Sequence, residues 1–254
     1  MNLLITLRSE ILKSKRTASL YLTIIAAALI PFIFLLDVMF DGISAEHKKD
    51  PFNAIFREGF INTGFVIFPL FVILISTLLP QIEFRNNAWK QVLASPQTKL
   101  NVFMSKYLNI HLLIVVFLVA HNIFMFVAAI AMHFIDPTLN LLNQPLDMYT
   151  VVANNLNTYV TLLAVGAIQF WVGLRFRNFI LPIGIGFALW FMGTLMALEL
   201  HWSMADYFPH SFHIYSIFEN RKPQLPTIQL RSVMYAAVFL VLGFIDFKTR
   251  SRKS

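Results

Sequence analysis

Long stretches of Leu, Ile, Val, Phe and Ala alternate along this chain with short stretches that carry most of its charge. A helix needs about 20 consecutive apolar residues to cross the hydrocarbon core of a bilayer, and runs of that length recur. They predict about six spans: Ala18 to Phe40, Ile61 to Ile82, Tyr107 to Phe134, Val151 to Leu174, Phe179 to Leu198 and Ser232 to Phe247. Each end is placed to within ~3 residues. Only Arg175, Phe176, Arg177 and Asn178 separate the fourth span from the fifth, which makes a tight basic hairpin. The fold class expected is an all-α membrane protein, a single transmembrane domain over residues 1–254.

Two segments outside the spans have patterns of their own. In residues 1–17, Leu3, Leu4, Leu7 and Ile11 recur at helical spacing while Arg8, Lys13 and Lys15 fall elsewhere. That pattern suits an interfacial helix lying in the headgroup plane, with a disordered basic leader as the alternative; it is not that of a cleavable signal peptide. Residues 83–106 lie between the second and third spans. Glu83 and Arg85 close the apolar run, and Trp89, Val92 and Leu93 then form a short stripe at i, i+3 and i+4, with Arg85, Lys90 and Gln91 off it. Ser95 followed by Pro96 suits a cap and a first helical position. One short helix should therefore end near Ala94 and another begin at Pro96. A surface-lying helix with Trp89 at the headgroups fits this pattern, and so does a helix docking into a partner's groove. Beyond the first span, residues 51–60 suggest a short helix capped by Asp50, whose stripe of Phe52, Ile55 and Phe56 could cover the end of a path or grip an amphipathic substrate.

Composition agrees with a membrane protein. Hydrophobic residues make up 57% of the 254, charged residues only 13%, and mean hydropathy is +0.67; soluble domains sit nearer half apolar and a quarter charged. With no cysteine, disulfides, thiolate metal sites and thiol nucleophiles are excluded. The net charge of +7 would suggest nucleic acid in a soluble protein. Here basic residues gathered in cytoplasmic loops account for it, and no nucleic-acid partner is expected. Fourteen of the Lys and Arg fall in the two termini, residues 83–106 and the basic hairpin, against six in the other loops. The positive-inside rule then puts both termini and the Glu83 segment in the cytoplasm.

Polar residues inside the spans mark either a path or helix–helix contacts. His121 and Asn122 fall near the middle of the third span and Gln169 in the later half of the fourth. They are candidates for a translocation path, with interhelical hydrogen bonding the favoured reading for His121. Asn154, Asn155, Asn157, Thr158 and Thr161 suggest that the fourth span starts in the interface. His47, His133, His201, His210 and His213 fall on the outer side. Without cysteine or a compact His/Asp pattern they read as ordinary loop histidines, and no metal site is expected.

The order of these segments resembles the permease subunit of a type-2 ABC transporter, and in particular the small six-span permeases of the lantibiotic-immunity and multidrug type. Glu83, Trp89, Lys90, Ser95, Pro96 and Lys106 match that family's first cytoplasmic loop, Leu7 to Thr17 its start, and Tyr207 to Phe212 its last outer loop. The resemblance implies an ATP-driven exporter of the bacterial inner membrane whose cargo is an amphipathic or hydrophobic peptide antibiotic, drug or lipid. It implies two permeases, identical or related, and two copies of a cytoplasmic ATPase that binds the ATP and Mg²⁺; no cofactor is expected on this chain. Glu83, Arg85, Trp89, Lys90, Val92, Leu93, Ser95 and Pro96 would then couple to that ATPase, and the docking reading of the segment is favoured. The chain has no G-x-x-x-x-G-K-[ST] phosphate loop of its own. A membrane-embedded enzyme would need reactive groups paired at membrane depth, and neither H-E-x-x-H nor a close carboxylate pair occurs there. A non-transporting scaffold or sensor that docks a cytoplasmic partner is the alternative.

Overall fold

A computed structural model describes residues 2–15, 17–41, 50–137, 141 and 144–250; His47 and the side chains of Asp41 and Leu93 fall outside the described set. The described residues form helices joined by short turns, with no strand among them. In order these are α1 (Leu3–Ser14), α2 (Ala18–Asp41), α3 (Pro51–Asn62), α4 (Phe68–Arg85), α5 (Trp89–Ala94) and α6 (Lys99–Ile135). Then follow α7 (Met148–Thr161), α8 (Leu163–Arg175), α9 (Ile180–Leu198), α10 (Ile214–Ile217) and α11 (Leu225–Arg250). Among the described residues, five helices are long and apolar enough to cross a membrane, and α7 with α8 forms a sixth, bent candidate. This is a multi-pass helical membrane protein.

The long helices follow from the apolar runs, but their breaks were not all expected. The separate helix over residues 51–60 and the second span are one unit, Pro51–Arg85, continuous through a π turn at Thr63–Ile67. Proline lacks an N–H, and its ring crowds the carbonyl four residues back. The widened turn just before Pro69 makes room there without ending the helix. Asp50 makes no side-chain cap bond; it accepts from the Asn53 amide at 3.1 Å instead. Phe52, Ile55 and Phe56 are buried among Met125, Ala128, Ala129 and Met132 of α6, so the stripe is a packing surface. The helix expected from Pro96 begins at Lys99. Thr98, with extended backbone, accepts from the Asn101 N–H and caps it, whereas Ser95 donates back to Val92 O at 2.6 Å. The last helix begins at Leu225, earlier than Ser232.

The fourth span bends by 43° between α7 and α8. Ser232 of α11 sits at the break. Its hydroxyl accepts from the Ala164 N–H at 3.2 Å and donates to Thr161 O at 3.1 Å. Backbone groups freed inside a membrane must find protein partners, and this side chain supplies them.

The core lies where α2, α4, α6, α8 and α11 meet. Phe117 stacks on Phe68 and Phe71, with centroids 5.3 and 4.5 Å apart, and Phe103 packs on Phe170 and Phe244. Helices approach closely at glycines: a Cβ on Gly173 would lie 3.1 Å from the Thr77 Cα, and one on Gly193 would lie 2.8 Å from the His210 carbonyl carbon. Outward faces stay apolar, with Ile25, Phe32, Val119, Phe191 and Val241 uncovered by the chain itself. In bilayer, lipid covers such faces.

Candidate functional site

Two regions gather polar chemistry, one at each end of the bundle. At the α5 end, α4 runs out at Arg85, and the chain turns at Asn87 in the left-handed region (φ 50°), which asparagine tolerates. The turn places α5 below the spans. Glu83 lies in the last turn of α4, Glu10 and Lys13 on α1, and Lys106 near the start of α6. Lys106 is 1% exposed; its Nζ lies 2.5 Å from Glu83 Oε1 and 2.8 Å from Glu10 Oε2. Lys13 Nζ completes the ring, 2.7 Å from Glu10 Oε1 and 3.1 Å from Glu83 Oε1. Two carboxylates and two ammonium groups thus tie α1, α4 and α6 together with no net charge. Burial pushes the Glu10 carboxyl up, but Lys106 and Lys13 outweigh it and hold the group below its usual value of 4.5. Burial likewise pulls the Lys13 ammonium down, and Glu10 and Glu83 outweigh it and hold it above 10.5.

Trp89 caps this cluster from below. Its ring lies 5.5 Å from Lys106 Nζ and packs on Phe84 and on Phe247 of α11. Trp89 and Val92 are therefore half-buried against this chain, whereas Arg85, Lys90, Gln91, Ala94 and Pro96 are exposed. Beside them a recess of about 220 Å³ separates α1 from α5, lined by Thr6, Ser9, Gln91, Ser95 and Gln97 among others. Of the motif positions, Glu83, Trp89 and Lys106 meet in one place. Glu10 and Lys13 join them, and no local pattern signals this pairing because the contacts span about 70 to 100 residues.

At the opposite end a cavity of about 270 Å³ opens between α3, α6, α7 and the turn that precedes α11. His121 and Asn122 line it. His121 is 4% exposed, and its Nδ1 lies 3.1 Å from Ala27 O, so the ring also links α6 to α2. Asn122 donates to Leu118 O and accepts from Asn155 at 3.4 Å. Gln169 is not part of this cavity. Fully buried, it donates to Thr77 Oγ1 at 2.9 Å and Pro182 O at 2.6 Å, which clips α8 to α4 and α9.

Two of the outer histidines are buried within their loop. His210 and His213 are buried between α9 and α11, and burial pushes their imidazoles down to about 4 and about 3. Among the described residues no three His, Cys, Asp or Glu side chains gather as a metal ion requires.

Five or six spans with a charged clamp and a short helix at one end define a multi-pass membrane protein with an exposed terminal handle. The family model described as ABC-2 family transporter protein matches residues 6–193, and the chain belongs to that family. It is thus a transmembrane permease of an ABC transporter, a transport component that associates with an ABC ATPase. Neither the curated proteins nor the solved structures yield a match.

Proposed function

We propose that this permease exports an amphipathic or hydrophobic cargo (a peptide antibiotic, a drug or a lipid) and that α5 is its coupling helix. The observation that carries the reading is the two-sidedness of α5. Trp89 and Val92 hold the helix to the bundle, while Lys90, Gln91 and Ala94 are exposed. A helix held on one side and free on the other transmits a push from a docked ATPase. The ion cluster above it joins α1, α4 and α6, so these elements move as one body when the ATPase dimer closes, a two-state change biased by nucleotide. ATP and Mg²⁺ belong to the ATPase.

In this reading two permeases, identical or related, pair with two ATPase copies in the bacterial inner membrane, and both termini and α5 are cytoplasmic. The lantibiotic-immunity and multidrug type fits the order of segments. α1 lies in the headgroup plane, since Leu4, Ile5 and Leu12 are left uncovered on it. His121 and Asn122 are candidate path residues, and Gln169 serves as a helix clip.

Co-purification with the ATPase encoded beside the chain tests the proposal. The double variant Lys90→Glu/Gln91→Glu changes only the exposed face, so it should keep its fold and lose the ATPase. Trp89→Ala should weaken the anchor and lower thermal stability as well. If the double variant retains the ATPase as wild type does, α5 is not the docking element; if wild type never retains it, the exporter reading fails.

A further inference from the structure

The cavity at the end opposite α5 has no part in the coupling scheme. Its walls change chemistry with depth. At the rim stand Asp50 and Asp147, the residues before α3 and α7. Asp50 accepts from Asn53, and Asp147 from the Thr150 N–H and hydroxyl, but neither carboxylate has an ion-pair partner among the described residues. The Thr150 bonds hold the exposed Asp147 carboxyl below its usual range, so it is ionised at neutral pH. Glu219 and Lys222, also at the rim, neutralise each other. Seven residues further along each helix, a rise of about 10 Å, come Arg57, itself exposed, and Asn154. Arg57 has no carboxylate partner among the described residues. Asn122 and Asn155 add amides at this level. Deeper still, Thr63 is 4% exposed and its hydroxyl makes no hydrogen bond; it belongs to the π turn, and Phe60, Phe68 and Leu118 complete the wall.

Carboxylate, guanidinium, amide and hydroxyl, then apolar wall: this order is complementary to ammonium, phosphate, ester and acyl chain. We propose that the cavity binds a phosphate–ammonium zwitterion of the kind an aminophospholipid headgroup carries. An unpaired guanidinium is suited to a phosphate because its planar fork matches two oxygens at once. A ligand with only negative charge would meet the two carboxylates at the rim, and one with only positive charge would meet Arg57. The volume, near the ~300 Å³ lower end for small-molecule sites, suits a headgroup and the first carbons of its chains, the rest of the chains staying in the bilayer. A π turn inside an otherwise regular helix often marks a functional site, and here it presents the one buried hydroxyl of the wall that lacks a partner. The site needs the membrane-spanning fold but not transport, because binding is read without ATP; failure to transport and failure to bind are separate results.

The test is native mass spectrometry of the full chain with its ATPase, released from vesicles of phosphatidylethanolamine and phosphatidylglycerol in equal parts. Wild type is expected to retain phosphatidylethanolamine selectively. Arg57→Gln, at an exposed and unpaired position, should leave thermal unfolding unchanged and lower retention about tenfold, equivalent to ~1.4 kcal/mol. Asp50→Asn/Asp147→Asn should remove the preference over phosphatidylglycerol. Glycerophosphoethanolamine added in solution separates the two sources of this chemistry. Displacement shows that the headgroup alone suffices, retention shows that the chains contribute, and both agree with a zwitterion site. Equal retention of the two lipids by wild type, or undiminished retention by Arg57→Gln, overturns the proposal.

Discussion

At the residue scale, Lys106 decides most. It is the buried cation shared by Glu10 and Glu83. Removing one member of a buried ion pair leaves the others uncompensated, at a cost of about 3–5 kcal/mol. Lys106→Met should accordingly lower stability by that amount in a detergent unfolding series, whereas the quadruple variant Glu10→Gln/Lys13→Met/Glu83→Gln/Lys106→Met should recover much of it, since no lone charge of the cluster remains. The cluster also sets a pH dependence. Glu10 titrates below its unfolded value, so its contribution is complete above pH 4.5 and is lost as pH falls through the lower folded value. Lys13 titrates above its unfolded value, so its contribution is complete below pH 10.5 and is lost as pH rises through the higher folded value. Release of α1, followed by proteolysis near residue 15, is expected in acid before the spans unfold; simultaneous loss of both would contradict this.

At the element scale the breaks in the helices carry the information. α7 and α8 are kept as one bent span by the Ser232 hydroxyl. Ser232→Ala leaves the Ala164 N–H and one bond of the Thr161 carbonyl unmet, and an unsatisfied buried group costs about 1–3 kcal/mol. The expected outcome is a loss of that size in the same unfolding series, with faster amide exchange at Ala164; unchanged exchange there would mean that the bend satisfies itself. Gly193 is a different constraint. A side chain there meets the His210 and Ser211 backbone at 2.8 to 3.0 Å, so Gly193→Leu should displace the loop before α10 and expose His210 to modification by diethyl pyrocarbonate. The apolar pattern made the spans themselves legible. It did not reveal the π turn or the bend, because both are settled by a proline ring and a distant hydroxyl rather than by hydropathy.

At the scale of the whole molecule, orientation is the first property to measure. The chain has no cysteine, so single replacements report cleanly. Lys90→Cys should be labelled only from the cytoplasmic face of intact cells, and Lys222→Cys only from the opposite face. The reverse labelling would invert the proposed topology and put α5 out of reach of any cytoplasmic ATPase.

The sequence by itself determined that the chain is helical, spans a membrane about six times, and carries a short amphipathic segment between its second and third long helices. Those properties depend on run length, local periodicity and capping residues, all of which act over a few neighbouring positions. It also supplied the family resemblance through Glu83, Trp89, Lys90 and the residues after them. Only the tertiary structure decided that Trp89 turns toward Phe247 and that Phe52, Ile55 and Phe56 pack against α6. It alone set Gln169 between three helices, and gathered Glu10, Lys13, Glu83 and Lys106 into one buried cluster. The physical reason is the same in each case. Which side of a helix meets protein and which meets lipid depends on partners tens of residues away, and an apolar alphabet writes both faces alike.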